Sequence, residues 1–207
     1  MKNRAEKEEH GQLFCRYRNN GDMRAFERLL SEYEKPLYSY LLRFLRNPAD
    51  AEDALQEVWL KVVRRAETYN ERGRFSSWLY RIARNHSMDV LRRRKPDMSL
   101  DDGFKGGEML DRVDFQQEAE KNPFESLEEK ELLDYLDEAA ETLSPALREV
   151  FFLRTSGGLS FREISEVLEC PLGTVLGRMH QAVNRIKKHF ADVGLVPTNE
   201  NSEVGTA

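Results

Sequence analysis

In the stretch MRAFERLLSEYEKPLYSYLLRFL, apolar side chains recur at Phe26, Leu29, Leu30, Tyr33, Leu37, Tyr40, Leu41 and Phe44. Steps of three and four residues place them on one side of an α-helix, and such a stripe has to be covered by other elements. Asp22, after Gly21, is placed to cap this helix, while Pro36 inside the pattern predicts a kink or a break near Lys35. The next segment, NPADAEDALQEVWLKVVRRA, opens with Asn47 as a cap, Pro48 at the first helical position and acids in the first turns. Ala54, Val58, Leu60, Val62 and Val63 are expected on its buried side. A third helix, FSSWLYRIARNHSMDVLRRRK, starts near Ser76 or Ser77. The expectation for this half is a compact bundle of three or four helices with short connections.

The second half is helical again. SLEEKELLDYLDEAAETL carries Leu127, Leu132, Leu133, Leu136 and Leu143, with acids on its other faces. SPALREVFFLRTSGG follows, with Ser144 and Pro145 as a helix start and Gly157-Gly158 as a stop. In LSFREISEVLECPLGTVLGRMHQAVNRIKKHF, Ser160 caps a short helix ending near Glu169, with Ile164 and Leu168 facing inward. Cys170-Pro171-Leu172-Gly173 makes a tight turn, and Thr174 begins a second helix. Between Leu172 and Phe190 that second helix holds four bases and no acid. Two short helices, a turn and a cationic second helix form a helix-turn-helix pattern.

Charge matters here by its location. The net charge is −5, and the segment 96–124, with eight acids against three bases, carries that same net charge alone. With Gly103, Gly106 and Gly107, a proline at each end and no sustained apolar period, it reads as an acidic, flexible linker. Arg72 to Lys95, in contrast, holds eight bases and the single acid Asp89.

Within that basic helix, Leu79, Ile82, Ala83, His86 and Val90 share a core face. A second face carries Trp78, Arg81, Asn85, Met88 and Arg92. A ring, an amide and guanidinium groups together suit single-stranded DNA, whose bases stack while cations follow the phosphates. Trp78 fits core packing equally well, so its side is left open. The run Arg92, Arg93, Arg94 and Lys95 exceeds what complementing a helix dipole calls for, which favours phosphate contact.

Several functions are disfavoured. No apolar run approaches the roughly 18 residues that span a bilayer, so no membrane insertion is expected. The charged start MKNRAEKEEHGQ does not read as a signal peptide, and two distant cysteines suit a reduced, cytoplasmic protein. His10, His86, His180 and His189 are not grouped with cysteines or carboxylates at metal-ligand spacing. With no phosphate loop, nucleophile elbow or dinucleotide fingerprint, no enzyme, cofactor, metal or small-molecule substrate is expected.

Four segments, in order and in register, resemble the bacterial RNA polymerase sigma factors of the extracytoplasmic-function (ECF) type. GDMRAFERLLSEYEKPLYSYLLRFL is similar to the start of the family's first domain, and DAEDALQEVWLKV to its acidic helix. FSSWLYRIARNHSMDVLRRR is similar to the promoter-melting and promoter-reading segment, and LSPALREVFFLRTSGGLSFREISEVLECPLGTVLGRMHQAV to the helix-turn-helix. The resemblance implies an all-α fold of two small helical domains, region 2 in residues 1–95 and region 4 in residues 125–191. Between them lies the linker 96–124, expected to run along the polymerase's RNA path; the polar tail 192–207 is given no role.

Several site residues follow from the resemblance. Arg81, Asn85, Arg92, Arg93, Arg94 and Lys95 would meet the −10 element, with Asn85 at the family's base-binding pocket. Asp53, Gln56, Glu57 and Trp59 would dock on the clamp helices of core polymerase, and the second domain on its flap. In the −35 reader the candidates are Thr174, Leu176, Gly177, Arg178, His180, Gln181, Lys187 and Lys188. The family commonly has a basic and a small hydroxyl residue where this chain has Leu176 and Gly177, so an unusual or relaxed −35 preference is expected. Arg178, three residues after Val175, suits either DNA or a pair within its domain. Partners implied are core polymerase, promoter DNA and an anti-sigma factor. The alternative is a stand-alone helix-turn-helix regulator.

Overall fold

The structure, a computed structural model, describes residues 4–70, 74–94 and 129–194. Among the described residues there are eight α-helices, one short 3₁₀ turn and no strand. Lys95, the linker 96–124, Leu127 and the tail from 195 onward lie outside the described residues.

Helix α1 (Arg4–Asn20) ends where Gly21 takes φ +66° and its N–H donates to the Tyr17 carbonyl at 2.8 Å. Helix α2 (Met23–Leu45) then begins under Asp22, whose carboxylate accepts from the Ala25 N–H at 3.2 Å. That bond, together with the Arg16 guanidinium 2.6 Å away, holds the Asp22 carboxyl below its ordinary range. The expected break at Pro36 does not occur, and α2 is continuous. Leu29 and Tyr33 before the proline, and Leu37, Tyr40 and Leu41 after it, are all buried. Burial of both halves outweighs the one backbone bond that Pro36 removes.

Helix α3 (Pro48–Arg64) starts as expected, with the Asn47 side chain accepting from the Asp50 N–H at 3.1 Å. Its buried side is Ala51, Ala54, Val58 and Val62. Leu60 and Val63, expected there, instead face out at 48% and 42% exposure. Positions 58 and 62 are one turn apart and already fill the contact with the bundle, so residues two before 62 and one after it are carried round the helix. The 3₁₀ turn Ala66–Thr68 leads toward helix α4 (Phe75–Arg94).

The second half comprises α5 (Glu129–Glu141), α6 (Pro145–Thr155), α7 (Phe161–Leu168) and α8 (Leu172–Asp192). Helix α6 is buried almost all round, through Ala146, Leu147, Val150, Phe151, Phe152 and Leu153. Leu136 packs on the core and Leu143 is buried; the side chains of Leu132 and Leu133 lie outside the described set. A reciprocal capping box joins Ser160 and Glu163 at the start of α7, and Glu169 closes that helix at φ +53°. Helix α8 starts at Leu172, two residues before the expected Thr174, because the Pro171 carbonyl already accepts the Thr174 N–H at 3.0 Å.

The two halves touch. Helix α7 lies against α4, and α6 against α2. Gly157 permits part of this closeness, since a Cβ there would meet Tyr80 Cε1 at 2.9 Å.

Candidate nucleic-acid and polymerase interfaces

Helix α4 is divided by what covers it. Phe75, Leu79, Tyr80, Ile82, Ala83, His86 and Ser87 are buried, while Asn85, Arg92, Arg93 and Arg94 are exposed. The buried arc is wider than the expected core stripe, because Ser76 and Ser77 are also covered, bonded to Glu163 and Glu166 of α7. Trp78, left open from sequence, joins a ring cluster with Phe14 and Tyr69, centroids 5.2 and 5.3 Å away. Below it His86 accepts from the Lys61 ammonium at 2.7 Å. Burial, then the Lys61 charge, holds the imidazole below its ordinary pKa, so it is neutral at pH 7.

The candidate strand-contacting residues are therefore not equally presented. Asn85 is exposed, and the end of the helix offers Arg92 and Arg93. Arg93 Nε donates to the Asp89 carbonyl at 3.2 Å, and Arg94 pairs with Asp50 at the start of α3. Arg81 is half-buried, and its Nη2 donates to the Glu166 carbonyl at 2.5 Å.

On α3, Asp53 and Gln56 are exposed, whereas Glu57 and Trp59 are half-buried. The Trp59 ring meets Phe26 edge-on, with centroids 5.8 Å apart, so it works partly as core. Sequence reasoning missed the apolar part of this face, Leu60 and Val63, which continue the stripe of Asp53 and Gln56 along the helix. A readable signal existed: α3 has more apolar residues than one buried face accommodates. Exposed aliphatics beside carboxylates suit a protein partner, since an acidic surface repels phosphate.

Helix α8 buries Val175, Ala182, Ile186 and Phe190. Its outer side exposes Gln181, Asn184, Arg185, Lys187 and Lys188, with Thr174, Leu176, Gly177 and His180 half-buried. A Cβ at Gly173 would meet nothing within 4 Å, and Leu172 beside it is 37% exposed, so the start of the helix is open and smooth. Asn184 lies 3.3 Å from His180 Nε2. Arg178 is half-buried; burial pushes the Glu149 carboxyl up, and Arg178 acts against that beside Arg84, which favours a role within its domain. Among the described residues no group of His, Cys, Asp and Glu could hold a metal, and no helix is long and apolar enough to cross a membrane.

A four-helix bundle with exposed cations on α4, followed by a helix-turn-helix, is the architecture of a DNA-binding protein. Two family models match in the same order, Sigma-70 region 2 over residues 29–96 and Sigma-70 region 4 over residues 133–186. The chain is 31% identical over 173 residues to the ECF RNA polymerase sigma factor SigW of Bacillus subtilis (strain 168), covering 84% of this chain and 92% of that protein. It is also 31% identical over 169 residues to the ECF RNA polymerase sigma-E factor of Escherichia coli (strain K12), covering 78% and 84%. Among solved structures it is similar in fold to CnrH in complex with the cytosolic domain of CnrY, with TM-score 0.65 and 18% identity over 89% of this chain and 98% of that one. The chain belongs to the ECF sigma factors, which direct core RNA polymerase to promoters and open the DNA there. Both regions occurring on one chain favours this function over a stand-alone regulator.

Proposed function

We propose that the two regions divide promoter recognition and polymerase binding in the following way. Residues 1–95 form the unit that docks on core polymerase through α3 and reads the −10 strand through α4. Asn85 takes the edge of an unstacked base, since an amide offers a paired donor and acceptor. Arg81, Arg92, Arg93, Arg94 and Lys95 follow the phosphates. Asp53, Gln56 and Glu57, with Leu60 and Val63 added, form the clamp-facing surface, and Trp59 supports it from beneath. Residues 125–191 form the −35 reader, with Thr174, Leu176, Gly177, His180 and Gln181 toward the bases and Lys187 and Lys188 toward phosphate. Leu176 and Gly177 give no bidentate contact to guanine, so the −35 preference is relaxed or unusual. Residues 96–124 connect the two along the polymerase. The protein makes and breaks no covalent bond itself and acts in the cytoplasm. An anti-sigma factor is a fitting partner, since the similar RpoE of Bartonella quintana was solved in complex with the anti-sigma factor NepR.

The observation that carries this reading is one bundle with two exposed faces of opposite character, an acidic and apolar face on α3 and an amide and guanidinium face on α4. Run-off transcription with core polymerase over a promoter library tests it. Initiation at promoters sharing a −10 element is expected. Recovery of the family's common −35 consensus would refute the relaxed preference, and no initiation would refute the whole.

A further inference from the structure

Helix α8 turns one long side away from its domain, and that side changes in chemistry along its length. Val175, Ala182, Ile186 and Phe190 fix the buried side. Opposite them the first two turns present Gly173, Leu176 and Gly177, the third His180 and Gln181, and the fourth Asn184. A Cβ at Gly173 would meet nothing within 4 Å, so the start of this side lies open. From Leu172 to Gly177 the only polar side-chain group is the Thr174 hydroxyl. Amides begin one turn later, with Gln181 and Asn184 both exposed and the Asn184 nitrogen 3.3 Å from His180 Nε2. Arg185, Lys187 and Lys188 are exposed beyond them, and no acid occurs between Leu172 and Phe190, so a polyanion is complementary to the whole side.

Base pairs differ in what they offer such a surface. Guanine presents two acceptors in the major groove, which call for a donor-bearing side chain such as Arg or Lys. Thymine presents a methyl group, for which an aliphatic side chain is sufficient, and adenine presents a donor and an acceptor, which one amide matches. In a helix-turn-helix the N-terminal part of the second helix meets the base edges. In α8 that part carries methyl groups and bare backbone, with the amides behind it.

We propose that α8 selects a block of A·T pairs with no obligatory guanine, Leu176 packing on thymine methyl groups and Gln181 and Asn184 matching adenine. This rests on the assignment of α8 to the −35 element. Leu176 and Thr174 stand on either side of the row formed by Gly173 and Gly177, and both are half-buried. Their methyl groups are therefore held by the domain, and little side-chain freedom is lost when DNA binds. The two glycines place no side chain between helix and groove, so the backbone can come close and the short reach of Leu176 is enough. A methyl contact carries no charge. Discrimination for thymine should thus persist at salt concentrations that weaken the phosphate contacts of Lys187 and Lys188.

The test uses holoenzyme, the full chain with core polymerase, and duplex promoters randomised over about ten base pairs at the −35 position, roughly one turn of DNA. The selected block is then resynthesised with deoxyuridine for thymidine, which removes the 5-methyl group and leaves base pairing intact. An enriched block of A·T pairs is expected, with binding about fourfold weaker for each contacted thymine replaced, the worth of one buried methyl group. Leu176→Ala should bind the thymidine and deoxyuridine duplexes equally. An invariant guanine selected by the wild type overturns the proposal. So does equal wild-type affinity for the two duplexes, a comparison that no variant's folding can confuse. If no block is enriched at all, α8 does not read the −35 element, and that assignment fails together with the proposal.

Discussion

Asn85 and His86 are adjacent in sequence and opposite in circumstance, one exposed and one buried against Lys61. For Asn85 the expected outcome of Asn85→Ala is a loss of −10 discrimination of about tenfold to a hundredfold, the value of one good amide contact to a base edge. Run-off transcription on promoters with single −10 changes would read it, and core binding should be unaffected. His86 carries a pH dependence of definite sign. Its folded pKa is lowered by burial and by Lys61, with Arg93 acting the same way and Glu57 and Asp89 opposing. Above the unfolded value near 6.5 the ring is neutral in both states and contributes no slope. As pH falls below that value the unfolded chain takes up the proton first, so stability drops until the folded pKa is reached. Thermal melts between pH 7.5 and 5.5 should therefore show a steeper loss for wild type than for His86→Gln. Parallel curves would mean that His86 does not titrate in this range.

Helix α3 illustrates what a periodic pattern can and cannot specify. Its start was readable because Asn47 and Pro48 act through local bonds, and its length because the apolar spacing persists. Which apolar residues are buried was not readable, since Leu60 and Val63 differ from Val58 and Val62 only in what lies opposite. Their exposure leads to an element-scale prediction. Leu60→Asp, and Val63→Asp separately, should weaken core polymerase binding at least tenfold in a pull-down while shifting the melting free energy by no more than about 0.5 kcal/mol. Unchanged core affinity would remove these two residues from the docking face. Helix α2 gives the complementary case, where Pro36 suggested a break and burial on both sides overrode it. The capped helices, the turn before α8 and the cationic α4 all came from local chemistry. The contacts of Ser76 with Glu163 and Arg84 with Glu149 join residues far apart in sequence, and nothing in a local window encodes such a pairing.

At the scale of the whole molecule, the buried residues run as one cluster from Leu13 to Phe190, although the chain consists of two recognisable regions. Tyr80 beside Gly157 continues the core across the seam, while both edges of the seam are ionic. These two kinds of contact respond differently to salt. At about 0.15 M the Debye length is about 8 Å, and the exposed pairs of Arg43 with Asp137, Arg46 with Glu141, Arg74 with Glu166 and Arg81 with Glu169 still act; at about 1 M it falls to about 3 Å and they are largely screened. Apolar contacts and the buried Arg84–Glu149 pair are screened much less, and burial that lowers the Arg84 pKa is more than offset by its carboxylate partner, leaving the guanidinium charged. Scanning calorimetry of the full chain should therefore give a shared unfolding transition near physiological salt and two resolved transitions at high salt. E166Q/D137N should already resolve into two near physiological salt, because two of the screened pairs are absent by substitution. If one transition persists in every condition, the small apolar contact around Tyr80 is sufficient to couple the halves, and the ionic edges contribute little to holding the chain closed.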